Sequence, residues 1–239
     1  MTVRLHELVL RHPRYGYRRM TALLQREGWR VNRKRVYRLW RLEGFKVPRK
    51  ARRRRAMGCG ENSCAVRRAL HKDHAWTWDF LFDRTTNGRP LKWLSIVDEY
   101  TRECLALEVD RTMPSEKVID VLHCLVGARR TPAFIRSDNG PEFIAQAIRR
   151  WLGDVGSEAA YVAPAAPWEN GFAESFHSRL RDELLNTEEF QNVCEAKAAA
   201  QRWRDEYNNH RPHSSLGYQT PNEFAAAQGG CCAAAPLGS

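Results

Sequence analysis

The chain has 239 residues, 43% of them hydrophobic, which is enough for one sizeable core and a smaller attached domain. No apolar stretch is long enough to span a bilayer and no secretory signal follows Met1, so we expect a cytoplasmic protein with no membrane partner. The formal net charge of +11 favours a polyanionic partner, which in a bacterial host would place the protein near the nucleoid.

The charge is unevenly distributed along the chain. Residues 1–57 contain 19 Lys and Arg but 3 acidic residues, a net of +16, and residues 58–239 carry a net of −5. This separation predicts a basic arm that binds nucleic acid, joined to a domain whose acidic residues serve another purpose.

Residues 1–47 are predicted to form a helix-turn-helix domain. One helix spans the region from Tyr15 to Gly28, and a second begins after the N-cap Asn32 and ends at Gly44. We expect the second helix to contact DNA through the side chains of Arg33, Lys34, Arg35, Arg38 and Arg41. The alternative is a solvated helical hairpin whose arginines only keep it soluble. Mixed charge would favour solubility better than this almost purely positive run does.

Residues 48–73 read as a basic linker. The charged run that includes Arg52, Arg53, Arg54 and Arg55 is predicted to contact phosphates, with nuclear import as the alternative. A pair of cysteines, Cys59 and Cys64, is followed by a pair of histidines, His71 and His74. These four residues are either a zinc site or an incidental arrangement, and their spacing favours the incidental one.

Residues 74–190 show the pattern of an α/β domain. Strands are predicted at 75–82, 91–97, 104–109 and 132–137 and in a segment ending near Val162, with an Asn87-Gly88 turn after the first. Helices are predicted at 114–127, 141–152 and 168–185. Together these elements predict a mixed five-stranded sheet with flanking helices.

The C-terminal part is predicted to contain a helix at 193–207 within a helix-and-strap segment, residues 191–224. The region around Trp203 and Tyr207 is either a self-association surface or a part packed on the core. Residues 225–239 are expected to be disordered.

Three acidic residues are candidate catalytic groups. Asp79 interrupts an otherwise aromatic strand, Asp138 follows a strand at an Asn-Gly turn, and Glu174 lies about 200° from Phe172 around its helix, away from the apolar stripe. Taken singly, Asp79 could be an aspartate paired with an arginine, Asp138 an ordinary turn residue and Glu174 a solvated residue of a helix. Arg179 and Arg181, on the same helix as Glu174, are candidate DNA contacts.

The spacing of the acids makes a specific resemblance. Asp79 and Asp138 are separated by 58 residues, and Asp138 and Glu174 by 35. With the runs 135–143, 167–171, 174–186 and 207–218, this pattern resembles the second-reading-frame (OrfB) transposases of insertion-sequence family three over about residues 13–224.

The resemblance implies a ribonuclease-H-like integrase core, with Asp79, Asp138 and Glu174 as both catalytic residues and ligands of two Mg²⁺ or Mn²⁺ ions. It implies cleavage at the element's terminal repeats and transfer of DNA 3′ ends into target DNA. Carboxylates suit this chemistry because two hard cations about 4 Å apart polarise the attacking oxygen and stabilise the leaving one.

Two other readings stay open on sequence alone. One is a nuclease or integrase of the same fold that acts without transposition, and the other is a catalytically silent DNA-binding remnant. Because two element ends must be held together, we expect either a homo-oligomer or a partner protein from an upstream reading frame. The chain has no heptad run that would form a coiled coil.

Overall fold

The computed structural model describes residues 1–47, 68–137, 146–161 and 171–229. The described chain divides into two compact units. The first contains the N-terminal helices together with Pro212–Gln219, and the second contains the remainder up to Arg211 and from Thr220 onward. The predicted basic linker falls largely on residues 48–67, outside the described residues.

The N-terminal unit is built from three short helices: α1 (Thr2–Arg11), α2 (Tyr17–Arg26) and α3 (Arg33–Leu42). The first of these was not predicted, although Leu5 and Leu8 carry a helical spacing and are both buried. The second and third correspond to the predicted pair. Their apolar faces meet in one core around Met20, Leu24 and Trp40.

The turn between α2 and α3 has the predicted chemistry. Gly28, at φ +86°, adopts the left-handed conformation that ends a helix, and the Asn32 side chain accepts a hydrogen bond of 2.8 Å from the Arg35 N–H. These two features fix where α3 begins.

The segment Pro212–Gln219 belongs to the N-terminal unit and includes a short 3₁₀ helix, Ser214–Leu216. Arg26 donates to the Tyr218 carbonyl at 3.2 Å, and the Arg33 guanidinium lies 5.3 Å from the centre of the Tyr218 ring. The strap predicted at 191–224 is therefore not one structural piece.

The second unit contains the predicted five-stranded sheet, in which the strand order is β3-β2-β1-β4-β5. The strands are β1 (Ala75–Arg84), β2 (Pro90–Asp98), β3 (Cys104–Asp110), β4 (Phe134–Ser137) and β5 (Glu158–Tyr161). The first three form an antiparallel meander, and β4 and β5 add in parallel to β1. Gly88 takes a left-handed φ of +78° in the predicted turn between β1 and β2.

Each face of the sheet has its own core. Trp76, Trp78 and Phe80 of β1 pack with helices α4 (Ser115–Ala128) and α5 (Gln146–Asp154). Leu81 lies in the opposite core, which is completed by α6 (Gly171–Leu180) and α7 (Val193–Asn209). Successive residues of a strand face opposite sides, so Asp79 shares the α6 and α7 side with Leu81.

Several boundaries differ from the prediction. The helix predicted to reach Leu185 changes after Leu180 into a π-helical turn, Arg181–Leu185, in which the Glu183 carboxylate receives two hydrogen bonds from Arg211. The last helix, α8 (Pro221–Gly229), extends into the region expected to be disordered from Ala225. The part of the predicted 141–152 helix before Gln146 and the loop with Pro164 and Pro167 lie outside the described residues.

Trp203 and Tyr207 are part of the core. Both are buried, and the Phe176 ring lies 5.5 Å from Trp203 and 5.2 Å from Tyr207 between ring centres. The idea that they form a self-association surface is therefore wrong, because α7 uses its aromatic residues to cover the sheet. Among the helices that the structure describes, none is long and apolar enough to cross a membrane.

Candidate active site

Asp79 lies in the middle of β1 and is directly opposite Ser95 of β2. Directly opposed residues of an antiparallel pair project from the same face of the sheet, so both side chains point towards α6. The Asp79 side chain is 17% exposed, whereas Ser95 is 2% exposed. The Asp79 carboxylate is thus partly open to solvent, whereas Ser95 is buried.

Glu174 lies in the first turn of α6 and is exposed. His177 and Arg181 follow it at intervals of three and four residues, which places the three side chains in one row along the helix. Proximity of Arg181 to His177 contributes to the lowered pKa of that imidazole. Glu174 therefore shares its helix face with the residue of α6 that contacts Asp79.

His177 links this row to Asp79. Its Nδ1 atom lies 3.5 Å from Oδ2 of Asp79, and its Nε2 atom lies 2.8 Å from the Ser95 hydroxyl oxygen. The Ser95 hydroxyl is also 3.2 Å from the Asp79 carbonyl oxygen, and the other Asp79 carboxylate oxygen accepts a 2.7 Å hydrogen bond from the Phe80 N–H.

Burial lowers the pKa of His177 to about 4, with a smaller contribution from Arg181. The imidazole is therefore neutral at physiological pH and carries one N–H. A neutral ring can donate through one nitrogen only, and this restricts how it can serve Asp79 and Ser95 together.

Asp138 lies outside the described residues, and so do Arg52, Arg53, Arg54 and Arg55. Within the described ranges there is no group of three or more His, Cys, Asp and Glu side chains that could hold a metal ion. Asp79 and Glu174 do supply the hard carboxylate oxygens that Mg²⁺ prefers, from two adjacent elements and with access to solvent.

The five basic residues predicted to contact DNA are all exposed on α3. Their angular positions differ at 100° per residue. Lys34, Arg38 and Arg41 lie on the side opposite buried Val36 and Trp40, with Arg35 near them, whereas Arg33 lies closer to the buried side and stacks over Tyr218. Lys34, Arg38 and Arg41 are called the α3 stripe below.

The two arginines predicted near Glu174 have different surroundings. Arg181 is exposed at the start of the π-helical turn. Arg179 is half-buried, and its guanidinium donates to the Ser175 carbonyl at 2.7 Å and contacts the Ser175 hydroxyl. Burial lowers the pKa of Arg179, and the neighbouring Arg211 lowers it further.

For the possible zinc site, Cys59 and Cys64 lie outside the described residues. The rings of His71 and His74 lie 4.7 Å apart, but Nδ1 of His74 accepts from the Leu70 N–H and Nδ1 of His71 donates to the Lys72 carbonyl. Burial lowers the pKa of His74, and His71 contributes. Both Nδ1 atoms are thus engaged with the backbone.

Sequence reasoning missed Ser95 and His177. The signal for Ser95 was the Asn87-Gly88 turn, because a three-residue loop that pairs Thr85 with Arg89 also sets Asp79 opposite Ser95. The signal for His177 was its position one helical turn after Glu174.

The fold of the second unit is that of an integrase catalytic core, and family models agree. An HTH-like domain matches residues 2–55, and two models, each described as an integrase core domain, match residues 69–167 and 155–221. The magnesium complex of the HTLV-2 integrase catalytic core domain has the same fold, with a TM-score of 0.52 and 15% identity over 66% of this chain and 99% of that one.

Relatives in bacterial insertion elements identify the family. The chain is 37% identical to the insertion element IS407 uncharacterized 31.7 kDa protein of Burkholderia multivorans, over 95% of this chain and 80% of the relative. It is 30% identical to transposase InsD for insertion element IS2 of Escherichia coli, over 93% of this chain and 77% of the relative. The chain belongs to this family of insertion-element transposases, which are DNA-binding polynucleotidyl transferases with an integrase core.

Proposed function

We propose that this transposase cleaves DNA at the ends of its element and transfers the 3′ ends into target DNA, with Asp79, Asp138 and Glu174 binding two Mg²⁺ or Mn²⁺ ions. The observation that carries this proposal is the contact of Asp79 with His177, one turn from Glu174 on the same helix face. Two of the three acids therefore belong to elements that meet on one face of the sheet.

The strand register supports the inclusion of Asp138. Thr77 of β1 pairs with Arg136 of β4 in parallel. Asp138 follows Ser137, the last residue of β4, directly in the sequence, and β4 is the strand beside β1. The magnesium complex of the HTLV-2 integrase core, which shares the fold, supports a divalent ion as the cofactor.

The chain's own groups would have distinct tasks. The carboxylates would hold the ions, which when bound supply Lewis-acid stabilisation of the attacking and leaving oxygens at phosphorus. Arg181, exposed on the Glu174 face, would contact a phosphate beside the scissile bond, with Arg179 as a further candidate. No acid in this arrangement needs to form a covalent bond with DNA.

The N-terminal unit would bind the terminal repeats. We infer that the α3 stripe provides most of its phosphate contacts and that the basic run 52–55 adds to them. Because two element ends must be joined in one assembly, we propose that the protein acts as a homo-oligomer or with a partner from an upstream frame.

A strand-transfer assay tests the catalytic assignment. The substitutions Asp79→Asn, Asp138→Asn and Glu174→Gln should each reduce Mg²⁺-dependent joining of a pre-nicked end by at least about 1,000-fold, because each removes a charged metal ligand. DNA binding should remain within a few-fold of the unsubstituted protein.

Asp83→Asn is the matched control, since Asp83 lies on β1 four residues from Asp79 and projects from the same face. It should retain joining activity. Near-normal joining by the Glu174 variant would contradict the assignment, and cleavage without joining by the unsubstituted protein would favour a nuclease instead.

A further inference from the structure

We propose that Arg102 is a positioning residue for Glu174: its guanidinium, stacked on the ring of Phe172, holds the first turn of α6 against the turn between β2 and β3. This inference rests on the proposed metal-binding role of Glu174. It assigns a function to a side chain that lies outside the proposed set of metal ligands.

The contact joins the turn between β2 and β3 to the start of α6. The Arg102 guanidinium carbon lies 4.0 Å from the centre of the Phe172 ring, and both side chains are half-buried. A cation this close to an aromatic ring is attracted to the negative face of the π system, and partial loss of water strengthens the attraction. Phe172 and Glu174 both lie in the first turn of α6. A contact that fixes Phe172 therefore also fixes the turn that carries Glu174.

Arg102 has a backbone conformation that an arginine rarely adopts. Its φ of +66° lies in the left-handed region, where a β-carbon crowds the backbone and glycine is the usual residue. Such strain persists only where the surrounding structure imposes it, and it is concentrated at functional sites. A glycine would form the same turn with less strain, so the presence of arginine indicates a task for its side chain.

The turn that directs Arg102 is held by the buried residue Asp98. One Asp98 carboxylate oxygen accepts hydrogen bonds of 2.7 and 2.8 Å from the N–H groups of Tyr100 and Thr101, and the other accepts one of 2.7 Å from the Asp73 N–H. The Arg102 N–H donates to the Asp98 carbonyl at 2.9 Å. These bonds impose the left-handed conformation, so the sheet sets the direction in which the Arg102 side chain leaves the backbone.

The nearby carboxylates are engaged with other groups. Both oxygens of Asp98 accept from backbone N–H groups, and Glu99 accepts a 2.8 Å hydrogen bond from Arg136. Burial lowers the pKa of Arg102, the direction expected for a cation that is partly removed from water. The face of the Phe172 ring offsets part of this cost, so the pair stabilises the charge and the start of α6 together.

The test compares three substitutions at position 102 in the full chain. Arg102→Met and Arg102→Gly both remove the cation, but glycine also relieves the left-handed strain. We expect both variants to bind Mn²⁺ about 3- to 30-fold more weakly, measured by electron paramagnetic resonance, because the loss is limited by the strength of a partly desolvated cation–π pair. Arg102→Lys keeps a cation that can lie over the ring, and it should bind Mn²⁺ more tightly than either.

Hydrogen exchange provides a measurement that depends on neither metal nor DNA. In Arg102→Met and Arg102→Gly the amides of residues 174–177 should exchange faster, while those of the sheet should not change. Phe172→Leu keeps apolar bulk but removes the ring face, so it should have the same effect. If the two side chains act as one pair, combining Phe172→Leu with Arg102→Met should weaken Mn²⁺ binding no further than either change alone.

Arg111→Met is the matched control for charge. Arg111 directly follows β3 and is exposed, so its replacement removes one positive charge from the same domain without touching α6. It should change neither Mn²⁺ affinity nor exchange in α6. A loss of Mn²⁺ affinity equal to that of Arg102→Met would assign the effect to net charge and overturn the inference.

The remaining outcomes separate this inference from the proposed function. If Arg102→Gly binds Mn²⁺ and exchanges in α6 as the unsubstituted protein does, Arg102 is a turn residue only and the inference is wrong. If Glu174→Gln weakens Mn²⁺ binding but none of the Arg102 variants does, the positioning role is wrong and the proposed function stands. If Glu174→Gln itself binds Mn²⁺ normally, the metal-binding role of Glu174 and the inference that rests on it are both overturned.

Discussion

The charged groups of α3 and those around α6 differ in their exposure to solvent and in how they are held. On α3 the side chains of Lys34, Arg38 and Arg41 point into solvent from one side of a short helix. Around α6, by contrast, several charged groups are wholly or partly buried and are held by partners, as in the pair between Arg211 and Glu183.

The difference follows from what each region must do. Exposed cations cost little to keep charged, and each contributes independently to binding a polyanion, so such a surface tolerates change. A buried charge is costly unless hydrogen bonds fix it, and that same fixing gives the geometry that catalysis requires. We therefore expect graded effects from α3 and abrupt effects from the surroundings of α6.

The largest expected effect on stability comes from the buried pair. Arg211 donates two hydrogen bonds of 2.8 and 2.6 Å to Glu183, and the side chains are 2% and 10% exposed. Arg211→Met should lower the free energy of unfolding by about 3 kcal/mol, because it leaves a buried carboxylate without its guanidinium. Urea denaturation followed by circular dichroism measures this change.

Two controls sharpen that comparison. Arg202→Met removes one partner of the pair between Arg202 and Glu188, whose side chains are 68% and 46% exposed, and should change stability very little. The double variant Arg211→Met with Glu183→Leu should recover much of the loss. Equal losses for Arg202→Met and Arg211→Met would show that burial does not distinguish the two pairs.

The second effect concerns DNA affinity. Replacing the α3 stripe by Gln should weaken binding to duplex DNA by on the order of 100-fold near 0.1 M salt and flatten the log–log salt dependence by close to 3, at ~0.9 per phosphate contact. Fluorescence anisotropy over a series of salt concentrations measures both. The melting temperature should not change, since all three side chains are exposed.

A single-charge pair within α3 is the sharper form of this experiment. Arg38→Gln and Arg33→Gln each remove one positive charge, but Arg33 stacks over Tyr218 whereas Arg38 belongs to the stripe. Arg38→Gln should therefore reduce the salt slope more than Arg33→Gln. Identical slopes would show that net charge, not position on the helix, governs the affinity.

The sequence predicted these regions unequally for physical reasons. Local patterns were sufficient for the two helices of the predicted pair, since Asn32 and Gly28 mark their ends through backbone chemistry that neighbouring residues determine. The sheet strands were likewise predicted from local patterns, namely apolar and aromatic runs and the Asn87-Gly88 turn. Helix α1 was missed because its two buried leucines are a weak signal without the core they enter.

Features that depend on residues far apart in the chain could not be predicted from the local sequence. The π-helical turn at 181–185 carries the Glu183 carboxylate bonded by Arg211, 28 residues later, and no helix propensity encodes such a partner. For the candidate site, the acids followed from their spacing and resemblance. Ser95 and His177 emerged only when the register and helix packing brought 79, 95 and 177 together.

The smallest expected effect comes from a half-exposed ion pair at the end of β3. Lys117 of α4 contacts the Asp110 carboxylate and lowers its pKa to about 2, and Lys197 of α7 lies 3.5 Å away. A lowered carboxyl pKa adds stability above the pKa of the unfolded chain, near 3.9, and this contribution is lost as pH falls through about 2. Because both partners are about one third exposed, Asp110→Asn should reduce the free energy of unfolding by less than about 1 kcal/mol at pH 7.

The difference in the free energy of unfolding between the two proteins, measured by denaturant unfolding from pH 7 to pH 2, should shrink as the carboxylate is protonated. It should also shrink in 1 M salt, where exposed charges are screened over about 3 Å. A difference that is constant across pH would contradict this assignment, because it would show that the effect does not depend on the charge of the carboxylate.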